Sequence, residues 1–287
     1  MSFHSHKYPQ LNDLDWLRQK YVIEKQSTTQ IAEILDVKCS NSIRQALLGN
    51  GLIVRTPSQG LRINNENLLI DDEIINGSLL GDGSIVKYNK HSHLSIPYFR
   101  KKNKQLDHIE LVAKSFYLTN YSDRIFVDYN KCNGKILKYW LLRTTADEKL
   151  IDYYNKWYPK CNNYKKVIPL DLILTPKTIL HWFLDDGSSQ RRYRYAKYSN
   201  EIMITFSSES FTKTENEFLI EQLNTFSLCA RLNKCNSGTG YRVRIPQSKS
   251  LDFFNLIGEC PIESMKYKWK FYETQYEKRP INKHKES

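Results

Sequence analysis

Two short segments constrain this chain more than any other feature: Ile75-Asn76-Gly77-Ser78-Leu79-Leu80-Gly81-Asp82-Gly83 and Ile179-Leu180-His181-Trp182-Phe183-Leu184-Asp185-Asp186-Gly187. Each is an apolar run that ends in Asp-Gly and is followed by Ser. The apolar residues favour a buried helix, and the glycine lets the chain turn out into a strand. Asp82 and Asp186 stand 104 positions apart, which leaves room for one compact α/β unit between them and a similar one after. A lone Asp-Gly is most often only a helix stop. A matched pair implies one site shared by two half-domains. Two acids at helix C-termini sit at the negative ends of helix dipoles and repel each other, a cost that a divalent cation removes.

The rest of the chain suits a partner that is a polyanion. Lys and Arg number 43 against 31 Asp and Glu, a formal charge of +12, which fits nucleic acid or an acidic membrane face. The 19 tyrosines favour nucleic acid, because rings and cations together suit bases and backbones. With 40% apolar residues in 287, the chain can bury a core and has the length of about two domains. Cys39, Cys132, Cys161, Cys229, Cys235 and Cys260 are scattered without a CxxC pair. That argues against a zinc knuckle or a disulfide framework and for a reducing compartment. No apolar run approaches a membrane span, and Met1 to Gln10 lacks the apolar core of a secretion signal. The expected location is a mitochondrion or other organelle for an organelle-encoded product, otherwise cytoplasm or nucleus, and not outside the cell.

Periodicity divides the chain into residues 11–55, a linker at 56–67, half-domains at 68–169 and 170–272, and a basic C-terminal tail at 273–287. In the first module, Leu14, Trp16, Leu17 and Val22 can line one side of a helix. Ser27 and Gln30 make a capping box for a second helix with an Ile31, Ile34 and Leu35 stripe. Asp36 to Cys39 is a tight turn, and Ser40 caps a third helix carrying Ile43, Leu47 and Leu48 that ends at Asn50-Gly51. This module resembles the helix-turn-helix family, and Gly51-Leu52-Ile53 resembles the ending of its winged relatives. The resemblance implies that Asn41, Arg44 and Gln45 face outward from a recognition helix. A helical bundle with a solvated or protein-docking face is the alternative.

Each half-domain reads as helix, two strands, helix, two strands, helix. In the first, a helix over Asp71 to Gly81 precedes strands near Ser84 to Tyr88 and Leu94 to Phe99, leaving Arg100 to Lys104 as strand end or solvated loop. Gln105 to Tyr117 is an amphipathic helix with Ile109, Val112, Ala113 and Phe116 on one side. Strands Arg124 to Tyr129 and Lys135 to Trp140 flank the Asn133-Gly134 turn, and Thr145 to Glu148 caps a helix ending at Trp157. In the second, Pro176 opens the motif helix. Arg191 to Tyr198 and Ile202 to Phe206 are strands, and Thr212 to Glu215 caps a helix with Phe218, Leu219, Leu223 and Phe226. Cys229 to Asn233 and Tyr241 to Ile245 are strands, the latter alternating with Arg242 and Arg244, before a helix over Leu251 to Leu256.

The two motif segments, together with Trp157-Tyr158-Pro159 and Lys166-Val167-Ile168-Pro169, resemble the LAGLIDADG homing endonucleases from Leu68 to Trp269. Two motifs in one chain imply the monomeric form. The resemblance implies an α+β fold of two pseudo-symmetric αββαββα half-domains, with paired motif helices and antiparallel sheets facing double-stranded DNA. It implies hydrolysis of phosphodiesters at a long asymmetric recognition site, with Asp82 and Asp186 as catalytic metal ligands. Gly81 and Asp185 are expected to offer backbone carbonyls. Magnesium is the expected cation, with manganese as a substitute and calcium as a binder that does not support cutting. Lys138, Arg143, Arg244 and Lys249 are the candidate basic assistants. Lys87, Arg100, Lys102, Arg192, Arg194, Lys197, Arg242 and Arg244 are the candidate DNA contacts on the sheets, beside Asn41, Arg44 and Gln45. At the third and seventh motif positions the first helix has Gly77 and Gly81 and the second has His181 and Asp185. An asymmetric interface follows, and the direction in which His181 and Asp185 point stays open. The alternatives within the same fold are a maturase that binds intron RNA and an inactive DNA-binding regulator.

Overall fold

The computed structural model describes residues 8–55, 68–91, 95–117, 121–132, 134–194, 197–235 and 240–270; the expected linker at 56–67 and tail at 273–287 lie outside the described residues. Residues 8–55 pack around a core of their own, Leu11, Leu17, Tyr21, Ile31, Ala32, Ile43 and Leu47. Its helices are α1 (Leu14–Arg18), which continues as a wider turn over Gln19–Ile23, α2 (Thr28–Ile34) and α3 (Ser40–Gly49). The Ser27–Gln30 capping box forms as expected. Asp36 takes a left-handed conformation, φ 53°, that swings the chain from α2 into α3. Several expectations are corrected. Cys39, not Ser40, precedes α3, and it makes no side-chain cap bond. Leu14, Val22, Ile34 and Leu48 are exposed; at Val22 the wider turn brings Tyr21 inward instead. No strand follows Gly51 among the described residues, so the winged ending is not formed there.

The first half-domain runs α4 (Asp72–Leu80), β1 (Ser84–Val86), β2 (Tyr98–Asn103), α5 (Leu106–Phe116), β3 (Ile125–Cys132), β4 (Lys135–Arg143) and α6 (Leu150–Trp157). The second runs α7 (Pro176–Asp186), β5 (Gly187–Arg194), β6 (Lys197–Phe206), α8 (Lys213–Asn224), β7 (Arg231–Lys234), β8 (Tyr241–Ile245) and α9 (Ser250–Ile257). Each contributes an antiparallel sheet, ordered β1-β2-β4-β3 and β5-β6-β8-β7. The α+β class and the duplicated order hold. Several boundaries shift, three of them with consequences. β2 starts at Tyr98 instead of Leu94 and carries Arg100 to Lys102 as strand residues. The segment Arg191 to Tyr198 is split between β5 and β6. Lys149, without a cap bond, precedes α6 in place of the expected Thr145 box. The Thr212–Glu215 box and Pro176 at the first turn of α7 are present.

Both half-domains drain into one hydrophobic core reaching from Leu68 to Trp269. In the second, Trp182 stacks on Phe206 with ring centroids 4.0 Å apart, and Phe183 meets Phe206, Phe253, Phe254 and Trp269 edge-on, the geometry that aromatic quadrupoles prefer. Sheet register relates the halves residue by residue. Ser84 pairs with Arg100, which pairs with Arg143; Ser188 pairs with Thr205, which pairs with Arg244. Arg143 therefore corresponds to Arg244, and Lys101 to Phe206. No described helix is long and apolar enough to cross a membrane.

Candidate active site at the paired helix ends

The motif helices α4 and α7 pack directly on each other. Gly77 and Gly81 make that approach feasible. A Cβ on Gly77 would lie 2.5 Å from the Thr178 carbonyl oxygen and 2.7 Å from His181 Cβ; one on Gly81 would lie 2.3 Å from Asp185 Cβ. His181 and Asp185 thus point at the partner helix, into the space that the two glycines leave. His181 is buried and stays neutral, its imidazole pushed down to about 3 by burial and by Lys101.

Asp82 follows the end of α4 and Asp186 ends α7, and they are near enough for the charge of Asp82 to act on Asp186. The Asp186 carboxyl is raised to about 7, first by burial and then by the charges of Asp82 and Asp185; Lys166 and Lys101 oppose the rise. Asp82 keeps contact with solvent, yet the protein around it displaces enough water to raise its carboxyl too, helped by Asp185. Two lysines close the site in pseudo-symmetric fashion. Lys166 Nζ donates to the Gly81 carbonyl at 3.0 Å, and Lys268 Nζ donates to those of Phe183, Leu184 and Asp185 at 2.9, 2.7 and 3.3 Å. Burial pushes both ammonium groups down to about 8, against the pull of the surrounding carboxylates. Groups near neutrality in this way can give or take a proton at working pH. Neither lysine is among the four expected basic assistants. Their signal was in the sequence, since each stands seven positions after a proline, Pro159 or Pro261, that follows the last helix of its half.

A third lysine has no counterpart. β-strand alternation turns Lys101 inward, between Arg100 and Lys102, and it is fully buried. Its ammonium contacts both oxygens of Asp185, at 2.6 and 2.5 Å, and Ser78 Oγ at 3.4 Å. His108 Nε2 lies 3.3 Å from Asp185 Oδ1. Burial and Lys101 hold this imidazole down at about 2 and therefore neutral.

The other expected residues are placed as follows. Lys138 lies over the Trp140 ring at 4.3 Å, and Lys249 bonds to Asp252 at 2.8 Å, so both are engaged locally. Arg143 sits over Tyr98, and Arg143 and Arg244 each keep a buried Nε without a partner. Lys87 sits over Tyr154. Lys102 bonds to Asp128 and Asn130, both at 2.8 Å. Arg242 is paired with Glu209. Arg192, Arg194 and Lys197 belong to the β5–β6 hairpin, and their side chains lie outside the described set. Arg100 occupies the face of β2 opposite Lys101. Asn41, Arg44 and Gln45 are exposed on α3.

Among the described residues, no group of three or more His, Cys, Asp or Glu side chains is arranged as a metal cage. The donor set still fits a hard cation that arrives with its substrate. Magnesium characteristically takes one or two carboxylates and fills the remaining positions with water and phosphate. Burial and neighbouring carboxylates raise both acids, Asp185 acting on Asp82 and Asp82 and Asp185 on Asp186, and this negative charge is what such an ion would neutralise. Gly81 and Asp185 direct their carbonyls to Lys166 and Lys268 here; each oxygen retains a second lone pair.

The raised Asp186 carboxyl makes metal-free stability depend on pH. The folded protein holds this proton up to about pH 7, whereas the unfolded chain releases it near its ordinary value of 3.8. The associated stability is therefore complete below about pH 4, falls as pH rises, and is gone above about pH 7. In chelator, Asp186→Asn should flatten that fall and stabilise the protein at pH 8 by about 2 kcal/mol, with screening allowed for. Thermal melts from pH 4 to 8 measure it; identical pH slopes in parent and variant would refute it.

Comparison with known proteins agrees with the fold. The model of the LAGLIDADG DNA endonuclease family matches residues 72–253. A probable intron-encoded endonuclease 1 of Wickerhamomyces canadensis is 28% identical over 206 residues, 70% of this chain and 84% of that protein. The cytochrome b mRNA maturase bI2 of Saccharomyces cerevisiae is 26% identical over 215 residues, 71% of this chain and 47% of that protein. Among solved structures, the homing endonuclease I-WcaI bound to its DNA recognition sequence superposes with a TM-score of 0.54 at 27% identity, over 69% of this chain and 84% of that one. With the family model spanning both motif helices and both sheets, the chain belongs to the LAGLIDADG DNA endonuclease family.

Proposed function

We propose that this protein is a site-specific endonuclease that cuts both strands of a long DNA site, each motif aspartate serving one strand. The observation that carries the reading is the convergence of Asp82 and Asp186, each with its own lysine, at the crossing of α4 and α7. A bound divalent cation, magnesium as the natural one, would supply an activated water and stabilise the leaving 3′ oxygen. Asp82 and Asp186 would hold it. Lys166 and Lys268, near neutrality, orient the attacking water and balance charge at the phosphate. Arg143 and Arg244, with corresponding places in the two sheets and unpartnered Nε atoms, are suited to contact phosphates on either side. The test is incubation with DNA of the host locus lacking the insert. A linear product with magnesium, reduced or absent with calcium, is expected; no cutting of host-locus DNA in any metal would sink the reading.

Residues 11–55 add a second DNA contact in this proposal. The support is a turn into α3 that leaves Asn41, Arg44 and Gln45 exposed together on one helix face. Deleting the module should weaken specific DNA binding ~10-fold or more, about 1.4 kcal/mol, while the cut position stays the same. An unchanged footprint and affinity would make it a folding or protein-docking element. A maturase role is the second reading, motivated by the likeness to the yeast maturase; a splicing assay with and without protein decides it.

A further inference from the structure

The two acids are held differently. Helix α4 ends at Leu80, so Asp82 lies past the helix. Gly81 and Gly83 both return their N–H groups to the Ser78 carbonyl, at 3.1 and 2.7 Å. The Asp82 N–H between them goes across the helix pair instead, to Asp185 Oδ2 at 3.2 Å. Helix α7 runs on through Asp186, which keeps that acid on a helical backbone. At the position that matches Asp185, the first motif has Gly81, so no side chain can return the bond to Asp186.

The surroundings of Asp185 are specialised to match. Its carboxylate, fully buried, is gripped by the equally buried Lys101. At the corresponding places in the second half, Phe206 replaces Lys101 and Trp182 replaces Ser78, and the two rings stack. A polar trio on one side of the pseudo-twofold axis thus stands where an apolar pair stands on the other. Bringing an ammonium and a carboxylate out of water costs several kcal/mol per ion, and an apolar pair would fill the same space without that cost. The bond from Asp185 to the Asp82 backbone is what the polar arrangement adds.

We propose that Asp185 and Lys101 are positioning residues that fix the Asp82 backbone through a bond with no equivalent at Asp186, so that cutting of the two DNA strands depends on them unequally; this rests on the endonuclease reading above. Asp185 supplies the acceptor, and Lys101 fixes the rotamer and charge of Asp185. The pair belongs to both halves, because Lys101 lies on β2 of the first and Asp185 on α7 of the second. The seating of Asp82 is therefore set by the docking of one half on the other.

Lys101→Met alone leaves a buried carboxylate without its counter-charge and can simply unfold the protein. Two charge-neutral doubles avoid this. Lys101→Met with Asp185→Asn keeps an oxygen acceptor for the Asp82 N–H; Lys101→Met with Asp185→Ala removes it. Single-turnover cutting is followed on duplexes labelled on one strand at a time. The Ala double should slow the strand served by Asp82 by ~10-fold or more and the other by less than about threefold. The Asn double should keep most of the parental strand ratio, and both should bind DNA with the parental Kd. The Asp82 amide, followed by NMR hydrogen exchange in the DNA-free protein, should exchange ~10-fold faster in the Ala double only. Equal slowing of both strands, or a parental strand ratio in the Ala double, overturns the proposal. If the parent cuts no DNA, the endonuclease reading fails by itself. The amide then still decides on the anchor: faster exchange only in the Ala double supports it, and unchanged exchange overturns it.

Discussion

Asp82→Asn and Asp186→Asn should each abolish efficient double-strand cutting, with a loss of ~10³-fold or more, about 4 kcal/mol in the barrier. An amide keeps the size of the carboxyl group but not its charge, and a cation bound by so few protein ligands tolerates that loss badly. The raised state of Asp186 shows how tightly the pair is coupled, since the charge of Asp82 contributes to it. Removing Asp82 lets Asp186 ionise more readily, but a lone carboxylate does not replace the ligand that has gone. DNA binding should persist through the sheets and tighten slightly without metal, because one negative charge near phosphate has gone. Strand-specific nicking assays read both outcomes. Parental rates on both strands in both variants would show that the chemistry lies elsewhere.

Gly77→Ala should produce a large loss of stability from a single methyl group. In an open helix this change is favourable by roughly 0.5–1 kcal/mol. Here the new Cβ would lie 2.5 Å from a backbone oxygen, that of Thr178, and 2.7 Å from His181 Cβ. Neither neighbour is the far end of a flexible chain, so the helices themselves must part. A cost of about 3 kcal/mol, at the upper end for overpacking, lowers Tm by roughly 6–12 °C in a protein of this size. Separation of the helices also pulls the acids apart, so cutting should fall together with Tm. Combining Gly77→Ala with His181→Gly should recover part of the stability, since the Cβ that makes one of the two collisions is then removed. No recovery would mean that the Thr178 backbone alone sets the spacing.

The sequence displayed the architecture because its strongest signals are local. Thr212-x-x-Glu215 caps a helix, Pro176 opens one, and Val243 and Ile245 alternate with arginines on a strand; each needs only near neighbours and each is where it was expected. Motif aspartates followed by glycine carry their spacing in the same way. Signals that depend on partners far along the chain were lost. Lys101 read as one more cation in the basic run from Arg100 to Lys104, because its burial depends on a strand register set by Leu142 and on a carboxylate from α7. The direction of Asp185 depended on a missing Cβ in another helix. In the N-terminal module a single wider turn exchanged Val22 for Tyr21 on the inward face, which no 3.6-residue pattern anticipates.

The exchange of Gly81, Ser78 and Lys101 on one side for Asp185, Trp182 and Phe206 on the other also bears on the ancestry of a duplicated gene. A homodimer made of first halves would bury two ammonium groups with no carboxylate between them. One made of second halves would press Asp185 against its own copy, with no glycine to receive it and no Lys101 to pair with its carboxylate. Either assembly carries uncompensated buried charge, whose removal or repair is worth about 3–5 kcal/mol per site. With Gly81 facing Asp185 and Lys101 holding it, the two halves fit each other and not their own copies, so the chain is committed to the pairing of one first half with one second half.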